Sequence, residues 1–343
     1  MLSPTMRRRG ARTTTITIAA LASALVVAFA SSAFASSASV RVRIEGGSGT
    51  LYDSVQSVAG APFTDSSGAS FDPSSNPTPV AALALAARLG GYPFSVTDYG
   101  SMGLLVDSFD GAGFAAPDFN YWHLRINGSE TAPGTDSYYG GSTARLHNGD
   151  EALWYYGSDS MAPANALLPV KAAVGSTMTI VARQLDVNGK ASALPTATVH
   201  VGSLLATSAA DGVAQFRFAA PGDFGVRVEK PGFVRSGVET LKVRYPTAFV
   251  SFSANKTRVK RGTKVTLSGH FVATGASVAG LKVNVYRRLS GGARSLVGRV
   301  TLGSSGKFSV STHANVTRNF YAVFDGDSRF AGASSTNRSV VVR

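Results

Sequence analysis

Once the first 35 residues are set aside, one stretch of this 343-residue chain has the period of an amphipathic helix: PVAALALAARL, at 79 to 89. The rest reads as short runs of alternating apolar and polar residues, broken about every ten to twelve residues by Gly, Pro, Asn or Asp. Each run can bury one face only. The runs must therefore pair into sheets that pack on one another or under the single helix. The helix signals agree with its limits: Thr78 is placed as N-cap, Pro79 fits the first helical position and Gly90-Gly91 ends it.

The first residues stand apart. MRRRGAR is a basic n-region, ITIAALASALVVAFA (16 to 30) is an apolar run, and small residues at 33 and 35 invite cleavage after Ala35. The run is shorter than the roughly 20 residues a bilayer span needs. The expectation is a signal peptide over 1–35 and a secreted product, soluble or held non-covalently at the cell surface. RSVVVR at the end carries neither a sorting motif nor a tail anchor. No cysteine occurs, so an exported chain of this size must rely on ordinary hydrophobic cores.

The order of runs divides the chain. SVRVRIEG, LYDSVQSV, GLLVDSF, YWHLRIN, TARLH and EALWYYG read as strands around the helix, with Asn148-Gly149 as a tight hairpin turn between the last two. One helix on short strands predicts a small α+β domain over 39–160. MAPANALLP (161 to 169) reads as a linker by composition. Five strand-like runs up to Tyr245 then suggest a β-sandwich over 161–246, with turns at VNGK, AADG and APGD. After YPT, seven more runs in residues 247–343 match the size of an immunoglobulin-like domain without its Cys pair. The fold class expected is mainly β and multidomain.

Catalytic patterns are hard to find, and a non-enzymatic protein is the expectation. The histidines at 123, 147, 200, 270 and 313 are scattered, none with a second His or Glu at metal-ligand spacing. HExxH, G-x-S-x-G and a phosphate-cradling glycine loop are absent from the sequence. DGDSRF (325 to 330) has two carboxylates at i, i+2, but lacks the further ligands of a calcium loop and reads as a plain turn. No metal or cofactor is expected.

The aromatic stretch from Phe119 to Gly141 carries five rings, at Phe119, Tyr121, Trp122, Tyr138 and Tyr139. Period two places Trp122, Leu124 and Ile126 on one face, with Tyr121, His123, Arg125 and Asn127 on the opposite, solvated one. Ala152, Trp154 and Tyr156 share a face in the same way. Two readings are open: the tryptophans form the core beneath the helix, or the rings line a binding surface. The segment ETAPGTDSYYGG displays Tyr138 and Tyr139 between glycines, and such rings offer flat amphipathic contacts.

VRVRIEG, the helix ending LALAARLGG, and YWHLRINGSETAPGTDSYYGGSTARLHNGDEALWYY together resemble the DUF4430 family, the transcobalamin-like C-terminal domain, over about residues 39 to 158. The matching positions are Tyr121-Trp122, Asn127-Gly128, Gly134, Asn148-Gly149-Asp150 and Trp154. The resemblance implies a β-grasp-like head that binds a small, corrinoid-like ligand. Its site would comprise Tyr121, Trp122, Gly134, Tyr138, Tyr139 and Trp154, with the loop Ala132–Tyr139 lying over the ligand. Residues 164 to 243 resemble carboxypeptidase-regulatory-like β-sandwich modules. The tail, with FYAVFDGDSRFAGASS, is similar to bacterial Ig-like repeats.

The net charge of +13 conceals a gradient. Residues 39 to 160 carry five Arg against thirteen carboxylates, residues 161 to 246 nine cations against five, and residues 247 to 343 fifteen against two. Outside a cell, a basic module would meet anionic wall polymers, headgroups or nucleic acid. No recognition motif for specific nucleic-acid binding is present. An anionic cell-wall polymer held by residues 247–343 is the partner expected. A structural or adhesive surface protein, binding a protein or glycan without a small ligand, is the rival reading.

Overall fold

The computed structural model describes residues 36–71, 76–100, 103–115, 119–130 and 144–343; the expected leader lies outside them. The described chain is mainly β with one α-helix, and its strands form several sheets. Among the described residues, no helix is long and apolar enough to cross a membrane.

The head is built on β1 (Ser37–Glu45), β2 (Thr50–Ala59), β3 (Tyr121–Ile126) and β4 (Glu151–Gly157), in the order β2-β1-β4-β3. β1 pairs antiparallel with β2 and parallel with β4, so the first and last strands meet at the centre. The helix α1 (Pro79–Gly90) lies against one sheet face. Thr78 Oγ1 accepts a 3.3 Å hydrogen bond from Ala81 N, and Gly91 ends the helix at φ 71°. Leu83 and Ala87 are buried with Val40, Val42, Ile44, Leu124 and both tryptophans in one core. A second small sheet, Phe94–Asp98 with Leu104–Phe109 and Ala112–Gly113, closes this core.

Two local expectations are corrected. Residues 144 to 147 form no strand, so Asn148-Gly149 turns without joining a hairpin. Instead Ser39 N donates to Asn148 Oδ1 and Gly149 N to Ser39 O, both at 2.8 Å, docking the turn on β1. The run 161 to 169 is no linker either. Ala162–Leu167 is a strand, antiparallel to Thr177–Leu185 and parallel to Phe233–Val234. Its small alanines pack well against a facing sheet, which composition alone had disguised.

That strand belongs to a sandwich whose second sheet runs Ala172–Ala173, Glu239–Arg244, Gly222–Glu229, Thr198–Val201 and Leu204–Thr207. Alternating residues such as Ile180, Val199, Val226 and Val243 fill its core. A second sandwich packs the sheet of Thr247–Ala254, Thr263–Ala273 and Lys307–Ala314 on one containing Lys282–Arg288, Arg294–Thr301 and Arg318–Phe324. Tyr245 joins the two sandwiches: its N donates to Arg329 O at 2.8 Å and its ring lies 5.6 Å from that of Phe330. The DGDSRF turn thus serves this joint. Asp327 Oδ1 accepts from Arg329 N at 2.7 Å and from Phe330 N at 2.8 Å, which shapes the loop.

Thr78→Ala should lower the unfolding free energy by about 1 kcal/mol, read as a lower urea midpoint at unchanged slope. A midpoint equal to wild type would mean that the cap does not hold α1.

Candidate functional site

Trp122 and Trp154 are 2% and 3% exposed. Trp122 Nε1 donates to Ala112 O at 2.8 Å, and Trp154 Nε1 to Pro79 O at 3.1 Å. Phe109 packs edge-on against Trp122 at 5.5 Å. With bodies enclosed and N–H groups satisfied, both indoles are core side chains, which removes them from the expected ligand-lining set. Gly134, Tyr138 and Tyr139 lie outside the described residues.

The opposite face of the head's sheet is not solvated, contrary to expectation. His123 and Arg125 are each 2% exposed and Tyr121 is 8% exposed. Tyr121 stacks on His123 at 4.0 Å and His123 on Tyr155 at 4.7 Å, while the Tyr121 hydroxyl donates to Asp159. His123 Nε2 lies 3.0 Å from Gly157 O. Burial pushes the His123 imidazole below its ordinary pKa and the Tyr155 phenol above its own.

The first sandwich covers this face. Arg125 Nη1 donates to Asp186 O at 2.7 Å, and its Nη2 pairs with Glu130 at 2.9 Å. Tyr155, Leu153 and Val234 form a buried cluster, with Met161 packed on it. Arg41 holds Asp53 at 2.8 and 2.9 Å and also reaches Glu239 and Val238 O. The Asp53 hydrogen bond raises the Arg41 pKa despite partial burial. Arg235 returns the contact to Glu45 at 3.1 Å and to Gly46 O at 2.8 Å. Two tight turns meet above: Asn127-Gly128, both at positive φ, and the 186–190 turn that Asp186 braces, with Glu130 N donating to Val187 O at 2.8 Å.

The concave surface of the head lies elsewhere. A cleft of about 780 Å³ runs beside α1, floored by Ala81, Ala84, Leu85 and Arg88, which share one helix side. Pro62 and Phe63 form the far wall, and Tyr92 and Phe94 the end. Tyr92 is anchored by a 2.7 Å bond from its hydroxyl to Leu51 O. Phe63 stacks between Phe71 at 5.5 Å and Phe94 at 5.9 Å. At the rim, burial alone would raise the Asp65 pKa. Hydrogen bonds from Ser67 Oγ and from the N–H groups of Val96, Ser67 and Ala69 outweigh it and hold the carboxyl below its usual range. Asp65 therefore shapes the wall. The signal for this cleft was the run of alanines on α1, which leaves room where larger residues would fill the groove.

Among the described residues, no group of three or more His, Cys, Asp or Glu is arranged to hold a metal ion. Asp98 Oδ1 accepts from Gly100 N at 2.8 Å and Asp107 from Thr97 Oγ1 at 2.6 Å, local roles in a turn and a strand pair. No family model matches the chain, and no curated protein matches it.

The buried histidine makes a pH prediction whose sign is set by burial. Its folded pKa lies below the unfolded value of about 6.5, so the unfolded chain binds the proton first. Its contribution is complete above about pH 6.5 and is lost as pH falls toward the folded pKa. Melting temperatures measured from pH 7.5 to 5 should fall more steeply for wild type than for His123→Gln. Parallel profiles would place His123 in solvent.

Proposed function

We propose that the chain is a secreted, non-enzymatic binding protein of the DUF4430-like kind. Its head would take a small ligand with an apolar body and a polar edge in the cleft beside α1, with the first sandwich as support and the basic sandwich as tether. The cleft carries the reading. Its volume of about 780 Å³ falls in the range of small-molecule sites, and its alanine floor and aromatic end wall suit a flat apolar body. The corrinoid implied by the sequence resemblance is the first ligand to try, with Tyr138 and Tyr139 as further contacts. The tether reading rests on charge: among the described residues no ion pair forms within 247–343, so its cations are left for an outside anion such as a wall polymer.

One observation favours the adhesive alternative. Phe114 and Phe119 are 65% and 66% exposed and touch edge to face at 6.2 Å, an apolar pair open to a protein or glycan surface.

Native mass spectrometry of residues 36–343 from the source culture medium, followed by a cobalamin titration read by absorbance, separates the two. The carrier reading predicts a bound or titratable small molecule that Leu85→Trp, at a half-buried position lining the groove, displaces without lowering the melting temperature. An empty protein that ignores cobalamin, together with surface binding abolished by Phe114→Ser/Phe119→Ser, would replace it with adhesion.

A further inference from the structure

The outward face of the basic sandwich carries an ordered row of groups that the charge count alone does not reveal. In the strand Lys282–Arg288, Val283 and Val285 point into the core, so Asn284, Tyr286 and Arg288 face out. Register sets Arg299 opposite Asn284, Leu296 and Tyr321 opposite Tyr286, and Arg294 opposite Arg288. Successive rows on one face lie about 6.6 Å apart, which places Arg299 about 13 Å from the Arg288–Arg294 row. The tyrosine pair lies between these cations.

These arginines are held in place. Tyr286 and Tyr321 stack at 5.8 Å; Arg294 lies over the Tyr286 ring at 4.6 Å and Arg288 over the Tyr321 ring at 5.9 Å. Arg299 Nε donates to Asn284 Oδ1 at 2.7 Å, and Asn284, 5% exposed, donates from Nδ2 to Asp325 at 3.2 Å. A buried amide thus orients an exposed guanidinium. The module's two carboxylates, Asp325 and Asp327, both border the cleft at the Lys282 end. Arg299 borders that cleft as well, so both carboxylates lie at the Arg299 end of the row and leave the Arg288–Arg294 end as its uncompensated part.

Resting on the tether reading, we propose that Arg288, Arg294 and Arg299, with the hydroxyls of Tyr286 and Tyr321, form the binding face for a polyol-phosphate polymer of the cell surface. Guanidinium forks match phosphate oxygens bidentately and retain their charge at any physiological pH. The rings favour this occupant over single-stranded nucleic acid. Each already has a guanidinium over it and the other ring beside it, so bases find no bare aromatic platform of the kind that binds single strands.

The test uses residues 36–343, poly(glycerol phosphate) as probe, and calorimetry at fixed salt, with polygalacturonate and oligo(dT) as parallel arms. Arg288→Gln/Arg294→Gln/Arg299→Gln should weaken poly(glycerol phosphate) binding about tenfold or more. Lys256→Gln/Lys260→Gln/Arg261→Gln removes the same charge from an exposed region elsewhere and should cost less than about threefold. Arg294→Gln alone should lie between wild type and the first triple variant, guarding against a folding defect. Equal losses in the two triple variants would overturn the face while leaving a diffuse electrostatic tether standing. Stronger wild-type binding to oligo(dT) or polygalacturonate would overturn the occupant. Binding to none of the three would overturn the face and the tether together.

Discussion

The sheet of the head has two faces that need cover, and among the described residues only one α-helix is available to cover them. α1 takes the face holding Trp122, Leu124 and Trp154. The other face presents Tyr121, His123, Arg125, Leu153 and Tyr155, all buried on the side where the first sandwich docks. That second burial sets the start of the first sandwich, five residues after β4, and leaves no slack between the modules. Its chemistry is unusual in being cationic. Arg43 and Arg125 are buried with their Nε atoms unpaired, while the rest of each guanidinium reaches carboxylates and carbonyls of both modules. Such groups add little net stability, but removing one partner from a buried pair costs about 3–5 kcal/mol. Their effect is to make one docked geometry far better than its neighbours.

A buried junction constrains function by fixing which surfaces remain. The cleft lies beside α1, on the side of the sheet away from the sandwich, so docking leaves it open. Cations and anions are likewise divided. The head's Arg41, Arg43 and Arg125 are engaged at the junction and do not relieve its acidity elsewhere. The last module has almost no acid of its own, and Asn284 and the tyrosine pair order some of its arginines. The proposed division of labour, ligand at the front and polyanion at the back, rests on this separation.

Much of the architecture was legible in local signals. Thr78, Pro79 and Gly91 bound the helix, and the seven runs after Tyr245 correspond to the main strands of the second sandwich. Period two also placed Trp122 with Leu124 and Ile126, and Trp154 with Ala152 and Tyr156, and of the two readings left open for the tryptophans the structure shows the core. The same alternation was silent on what lies over Tyr121, His123 and Arg125. Polar residues on a strand face normally signal solvent, and only a partner offering Glu130, Asp186 O and Val234 turns that face into an interface. The strand Ala162–Leu167 was missed for a related reason: Ala, Pro and Asn have low strand propensity, and its pairing with two other strands decides the outcome. The cleft is formed by small residues, which leave no positive mark beyond the alanine run.

The docking of head on sandwich can be tested directly because the chain has no cysteine. Ser129 and Asn188 face each other across an isolated antiparallel bridge between the two modules. Neighbours across such a bridge have Cα atoms about 4.5–5.5 Å apart, within reach of a disulfide. Ser129→Cys/Asn188→Cys, purified and oxidised in air, should close to an intramolecular disulfide, leave no titratable thiol and melt above its reduced form. Two thiols that stay free under those conditions would contradict the buried junction on which the account depends.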